Sequence, residues 1–295
     1  MIDVPEFFAR RLVRMAGDPG RVWLDSLPGL VEHCVELWQL KPDGRVPMHG
    51  YAGVVLPVTT RDGREAVLKL GYIGPETRDE PLALRAWLGD GAVLLFDSDL
   101  EHGAMLLERL DPDRSLETEP LGAAVRTISE LLRRLAIPAP PTISRDLRLE
   151  AARWVEELPK DWHRLGQPLP RRLLDAAVDV CAQLGPTADR LLVNEDLHYE
   201  NVLAGRREPW LVIDPQPLIG DVEFTMLSLL WNRLDPGTLD YRLAAIAEIA
   251  ALDPDRARAW TLVRAVQNWL WFVEEGNTED FGWPAVQLLA PWAAR

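Results

Sequence analysis

The chain has 295 residues, 47% of them hydrophobic and 26% charged, with a formal net charge of −14. It is long enough for one large domain or two modest ones, and its composition is that of a soluble globular protein. The acidic balance argues against nucleic acid and anionic membrane as partners, since both need a positive footprint, and suits a cationic small molecule as well as it suits plain solubility. Cys34 and Cys181 lie far apart without metal-ligand spacing and read as reduced thiols of a cytoplasmic protein. Charges interrupt every apolar run of MIDVPEFFARRLVRMAG, so no signal peptide is expected. No run approaches the length of uncharged apolar chain needed to span a bilayer. A monomer is the default expectation.

In chain order, residues 22–40 repeat apolar positions at helical spacing, with Leu30, Val31, Cys34, Val35 and Trp38 on one face, until KPDG breaks the pattern. Residues 51–58 and 65–70 read as antiparallel strands joined by a turn centred on Asp62-Gly63. Residues 76–88 predict a helix with an acidic start that Pro81 resets, and 91–96 and 103–110 are short strands. DPDRSLETEP is a polar connector. Helical periodicity follows over 121–136, 145–158 and 170–184, then strands at 191–193, 201–203 and 210–213, then helices over 222–232, 238–250, 255–273 and 284–291. The expected architecture is α+β and bilobal. Residues 1–109 form a small sheet-bearing lobe with a helical segment, 110–295 a larger mostly helical lobe, and the site lies in the cleft between them.

The chemistry concentrates in LLVNEDLHYENVL followed by WLVIDPQPLIGD, which set Asp196, Asn201 and Asp214 between apolar strand-like runs. Asp196 is placed to accept a proton from a hydroxyl nucleophile, and the oxygens of Asn201 and Asp214 suit Mg²⁺ against the phosphates of a nucleotide such as ATP. Lys69, in the strand pattern AVLKL below Gly50 and Gly53, is the candidate phosphate-binding lysine. Glu80 is preferred over Glu76 and Asp79 as its partner. The chain holds no GxxxxGK[ST], which excludes a P-loop NTPase. Leu107 to Leu110, including Glu108 and Arg109, form the expected hinge that offers backbone groups to an adenine ring. His198 reads as a hydrogen-bonding loop residue and Asp221 as an N-cap and anchor. Glu195, Glu223, Glu274, Glu275 and Asp280 are the candidate acidic ligands for a cationic hydroxylated substrate. Trp269, Trp271 and Phe272 read as packing.

Together these residues give the chain its family look. The helix around VWLDSLPGLVEHC, then VLPVTTRDGREAVLKL, ALRAWLGDGAVLLFDSD, GAMLLERLDPDRSL, LLVNEDLHYENVLAG, WLVIDPQPLIGD and NWLWFVEEG resemble the aminoglycoside/hydroxyurea antibiotic resistance kinase family, particularly its streptomycin 6-phosphotransferase branch. The resemblance implies a protein-kinase-like fold and ATP- and Mg²⁺-dependent phosphorylation of a hydroxyl, with streptomycin as the leading substrate. It implies Lys69 on the phosphates with Glu80 as helix partner, Asp196 as catalytic base, and Asn201 and Asp214 as metal ligands. Where the family usually reads His-Gly-Asp-Leu-His, this chain reads Asn194-Glu195-Asp196-Leu197-His198. Two alternatives stay open on that ground: a kinase for another hydroxylated metabolite, and an ATP-binding homologue impaired by the Asn194-Glu195 change.

Overall fold

The computed structural model describes residues 4–45, 47–50, 52–279 and 282–295. Helix α1 (Glu6–Leu37) opens the chain and is broken at Gly17, whose positive φ of 62° is open to a residue without Cβ. The periodic stretch expected over 22–40 is the second half of this helix. Its first half, over residues read only for their interrupting charges, buries Phe8 and Leu12.

Short strands β1 (Lys41–Pro42) and β2 (Met48–His49) share one edge of β3 (Gly53–Thr59), which pairs along its length with β4 (Glu65–Gly71). Asp62-Gly63 turns this hairpin, with Gly63 at φ +84°. The strand expected from residue 51 starts at Gly53, where an added Cβ would meet the Leu70 carbonyl oxygen at 2.9 Å; Tyr51 lies outside the described residues. Alternation decides the faces. Val54, Leu56, Val58, Ala66, Leu68 and Leu70 pack against α1, whereas Val55, Val67 and Lys69 face the other way, into the cleft.

Helix α2 (Glu80–Trp87) begins later than the 76–88 expected, because Thr77 closes a turn by accepting from Gly74 N and donating to Tyr72 O. The strand expected at 91–96 forms instead as β5 (Leu95–Asp99), since Val93 N is drawn to Val212 O at 2.8 Å. β6 (Ala104–Glu108) completes an antiparallel sheet in the order β1-β3-β4-β6-β5, with β2 beside β3.

The polar connector of the sequence contains a strand, β7 (Asp111–Ser115). Beyond it come α3 (Leu121–Leu135), α4 (Leu147–Arg164), α5 (Arg171–Leu184), β8 (Leu191–Asn194), β9 (Val202–Ala204), β10 (Trp210–Val212) and β11 (Pro217–Gly220). The chain ends in α6 (Met226–Trp231), α7 (Leu239–Ala250), α8 (Pro254–Glu274) and α9 (Gly282–Ala293). The helix expected over 222–232 opens as a 3-10 turn, Val222–Thr225, and only then becomes α6. Helix α3 is amphipathic, burying Ala124, Val125, Ile128, Leu131, Leu132 and Leu135. Helix α8 starts cleanly because Asp253 accepts from the amides of Asp255 and Arg256 and Pro254 fills its first position.

Two apolar cores result. The smaller joins α1 to one face of the sheet; the larger holds the helical part and continues into α2, Met105 and Leu107 of the sheet-bearing part. Trp87 Nε1 donates to Leu135 O across the same junction, at 2.9 Å. The cleft therefore has a continuous apolar back wall. Both cysteines are buried and unpaired, and burial pushes their thiols up, to about 11 for Cys34 and about 12 for Cys181. Among the described residues no helix is long and apolar enough to cross a membrane.

Candidate active site

Two hairpin-like pairings build the catalytic side of the cleft. β8 and β11 run antiparallel, with Asn194 opposite Pro217, so the loops that follow one and precede the other leave side by side. Glu195 N donates to Gln216 O at 3.0 Å and fixes that junction. β9 and β10 are also antiparallel, with Val202 opposite Val212, and Ile213 N donates to Asn201 O at 2.9 Å. The sequence between Asn201 and Asp214 is thus a hairpin whose open end carries both residues. Asp214 sits at φ +51°, a left-handed turn that a short polar side chain tolerates better than most.

Across the cleft, Lys69 on the central strand β4 lies 2.6 Å from Glu80 Oε1 and 2.5 Å from Asp214 Oδ1. Glu80 is the first residue of α2, and it is the acid in contact with Lys69. Asp79 is buried and accepts from the backbone N and the hydroxyl of Ser144, while Glu76 is exposed on the cleft wall. Burial alone would push the Lys69 amine down; the charges of Asp214 and Glu80 outweigh it and hold the ammonium above the ordinary lysine range. Burial pushes Glu80 up to about 7 against the pull of Lys69. The Lys69 charge holds Asp214 below the usual carboxylate range.

Asp196 is held from several sides. Its backbone N donates to Asn194 Oδ1 at 3.1 Å, as does Gln216 N at 3.0 Å, so the Asn194 side chain braces the loop through backbone groups. Gln216 Nε2 lies 3.4 Å from Asp196 Oδ2, and Asn201 Nδ2 donates to Asp196 O at 3.3 Å. Burial, followed by the charges of Asp214, Glu195 and Glu76, pushes the Asp196 carboxyl up to about 7, while Arg264 pulls it down. A carboxylate so poised suits a general base working near neutrality. Because the Asn201 amide nitrogen is engaged, its oxygen is the atom left to face the cleft. With the Asp214 carboxylate it forms an oxygen donor set that suits Mg²⁺.

The nucleotide-sized part of the cleft encloses about 580 Å³ and is lined by Lys69, Glu80, Asp196, Asn201 and Asp214. Val55, Val67, Val93, Met105, Leu203 and Ile213 give it an apolar slot. Glu108 and Leu110 line this slot. The Arg109 side chain does not, because its guanidinium pairs with Asp43 at 2.9 Å, and the Glu108 carboxylate is taken by Arg207 and Leu94 N. Neither charged side chain of this segment is left for a ligand.

The expected substrate acids need correction. Glu195 is buried and its carboxylate pairs with Arg145, at 2.5 and 3.2 Å, so it is not free to bind a cation. Buried Glu223 accepts from Asp253 N at 3.1 Å; Glu274 pairs with Arg164 on the surface at 2.8 Å; Glu275 follows the last residue of α8; none lines either cavity. Asp280 lies outside the described residues. Asp221 is an anchor but not a side-chain N-cap: its carboxylate takes Asp189 N, Arg256 and Trp260 Nε1. His198 stands 3.8 Å from both Asp196 Oδ2 and Glu200 Oε2, beyond hydrogen-bond reach, and burial pushes its pKa below the ordinary imidazole range against the pull of Glu200 and Asp214. Trp269 and Phe272 are packed inside, whereas Trp271 is 40% exposed.

A second cavity of about 180 Å³ opens beside Asp196, walled by His198, Glu200, Trp231, Asn232 and Asn268. Sequence reading missed this wall, and it missed Arg264, which donates to Glu195 O at 2.6 Å and Ser228 Oγ at 3.1 Å beneath the loop. A lone arginine inside the apolar run AWTLVRAVQNWLWF was the available signal.

The profile of the aminoglycoside/hydroxyurea antibiotic resistance kinase family matches residues 37–276. A streptomycin 6-kinase of Streptomyces griseus is 43% identical over 94% of this chain and 93% of its own. A hydroxyurea phosphotransferase of Kitasatospora aureofaciens is 42% identical over 94% of this chain and 82% of its own. In fold, the chain is similar to a thermostable mutant of the aminoglycoside phosphotransferase APH(4)-Ia in complex with ADP and hygromycin B, with a TM-score of 0.65 at 15% identity over 90% of this chain and 97% of that one. The choline kinase LicA of Streptococcus pneumoniae gives 0.61 at 14% identity over 91% and 99%. The α+β architecture is therefore the bilobal protein-kinase-like one, and the chain belongs to the aminoglycoside/hydroxyurea antibiotic resistance kinase family.

Proposed function

We propose that the protein transfers the γ-phosphoryl group of ATP to a hydroxyl of streptomycin or a closely related cationic aminocyclitol. The observation that carries this reading is the convergence of Lys69, Asp214, Asn201 and Asp196 on one cleft with a second cavity opening at Asp196. Lys69 binds the phosphates and is oriented by Glu80. Asn201 and Asp214 hold Mg²⁺, which neutralises phosphate charge when bound. Asp196 orients the acceptor hydroxyl and takes its proton as the new O–P bond forms and the bond to the leaving ADP breaks. Residues 1–109 supply the nucleotide side and 110–295 the catalytic and acceptor side.

The acceptor enters the cavity walled by Glu200, Trp231, Asn232 and Asn268, where a carboxylate beside Asp196 and an aromatic ring suit a cationic group. The 42% identity to a hydroxyurea phosphotransferase favours a second reading, since a small neutral acceptor fits about 180 Å³. Incubation with ATP and Mg²⁺ in the presence of either acceptor, read by mass spectrometry, separates the two. A phosphorylated streptomycin supports the first reading. A phosphorylated hydroxyurea with unmodified streptomycin replaces it, and neither product with intact ATP binding points to the impaired homologue.

A further inference from the structure

Beside the cleft, His33, Asp99 and His102 meet on the surface of the sheet-bearing part. They come from separate elements: His33 from α1, Asp99 from the end of β5, and His102 from the turn into β6. His33 Nε2 lies 3.1 Å and His102 Nδ1 2.7 Å from the same oxygen, Asp99 Oδ2. The other oxygen, Oδ1, accepts from the backbone amides of Glu101 and His102, so the turn itself aims the carboxylate at the two rings. The ring centroids are 4.8 Å apart.

A single imidazole on a carboxylate is an ordinary surface hydrogen bond. Two imidazoles presenting ring nitrogens to one oxygen form the donor set of a transition-metal ion. We infer that His33 Nε2, His102 Nδ1 and the Asp99 carboxylate are a binding site for a divalent ion of the Zn²⁺ class. Neutral imidazole needs only to carry its proton on the other ring nitrogen to present a lone pair inward. Metal–ligand bonds of about 2.0–2.1 Å in a tetrahedron set ligands roughly 3.3 Å apart. The nitrogen–oxygen spacings of 3.1 and 2.7 Å need only a small outward shift, and all three ligand atoms lie within 4.8 Å of one another. Water completes the coordination, and the histidines, 45% and 36% exposed, leave the ion a path from solvent.

The nitrogen donors separate this site from the oxygen donors Asn201 and Asp214, because imidazole selects Zn²⁺, Co²⁺ or Ni²⁺ and Mg²⁺ prefers oxygen. Its placement has a consequence. Asp99 and Leu100 also line the outer rim of the cleft, so a bound ion would pin that rim to α1 and stabilise the fold by mass action.

The test titrates chelator-treated full-length protein with Zn²⁺ by calorimetry and with Co²⁺ by visible absorption, both in excess Mg²⁺. One equivalent is expected to bind in the micromolar range and to raise the thermal midpoint. His33→Gln and His102→Gln should each weaken binding by about tenfold or more, while Asp214→Asn leaves it unchanged. Absence of saturable binding overturns the inference, as does binding that both histidine variants retain or that Asp214→Asn abolishes. The two variants lie on different elements, so a folding defect in one leaves the other to decide.

Discussion

Lys69 and Asp214 are 145 residues apart in the chain, yet the Nζ of one lies 2.5 Å from Oδ1 of the other. The same ammonium is 2.6 Å from Glu80, so one cation ties the sheet, helix α2 and the hairpin end that carries Asp214. Removing it leaves two carboxylates facing each other in a shielded site and no cation for the phosphates. Lys69→Met is expected to lower kcat/KM for ATP by about a hundredfold or more. Lys69→Arg should not restore it, because a planar fork does not replace a compact ammonium shared by two acids. Steady-state kinetics across ATP concentrations check both.

The pairing of Arg145 with Glu195 explains how this chain carries a charged residue next to Asp196. The guanidinium takes both carboxylate oxygens behind the loop. Arg145→Met should destabilise the protein by about 3–5 kcal/mol, since it strands a buried charge. The double variant Arg145→Met/Glu195→Gln should lose less than Arg145→Met alone. Urea unfolding of the three proteins measures this, and equal losses in the single and double variants would contradict the pairing.

The raised carboxyl of Asp196 has a thermodynamic signature in the nucleotide-free protein. Its folded pKa, about 7, stands above that of an unfolded aspartate, so the folded state holds the extra proton between roughly pH 4 and 7. Stability from this group is therefore full in acid, falls as pH rises through that window, and is level above it. Asp196→Asn lacks the penalty and should melt higher than the parent at pH 8, with the gap closing towards pH 4. The side chain is about one third exposed, which limits the gap to a few degrees or less. Arg264→Met removes an opposing charge and should widen it. Thermal melts over a pH series provide the comparison.

Acceptor charge should be read by Glu200, the exposed acid on the wall beside Asp196. Glu200→Gln is expected to raise KM for streptomycin by roughly threefold to tenfold and to leave KM for ATP unchanged. The same substitution should leave hydroxyurea, which carries no charge, unaffected. Paired KM measurements at low and high salt check the electrostatic origin.

The residues that meet in the cleft were legible where chemistry and local pattern coincide. Asp196, Asn201 and Asp214 sit between apolar strand runs that form β8, β9 and β10, and Lys69 lies in an alternating strand. The substrate acids were not legible, because a carboxylate's role depends on which cation reaches it in space. Arg145 reaches Glu195 from 50 residues away, and Arg164 reaches Glu274 across two helices. β7 escaped notice for a related reason: DPDRS has no apolar alternation and becomes a strand only by pairing with β9. The His33, Asp99 and His102 group was equally hidden, since α1 and the β5–β6 turn meet only in the folded chain.

The central claim is a division of labour in which Asp214 holds the nucleotide's metal and Asp196 serves the acceptor. It is tested most directly by measuring Mg²⁺–ATP affinity and single-turnover phosphoryl transfer to streptomycin side by side in Asp196→Asn and Asp214→Asn. The account predicts near-parental affinity with transfer reduced by about a hundredfold or more in Asp196→Asn, and loss of productive nucleotide binding in Asp214→Asn. Transfer that survives Asp196→Asn at saturating ATP, with only nucleotide affinity lost, would contradict it.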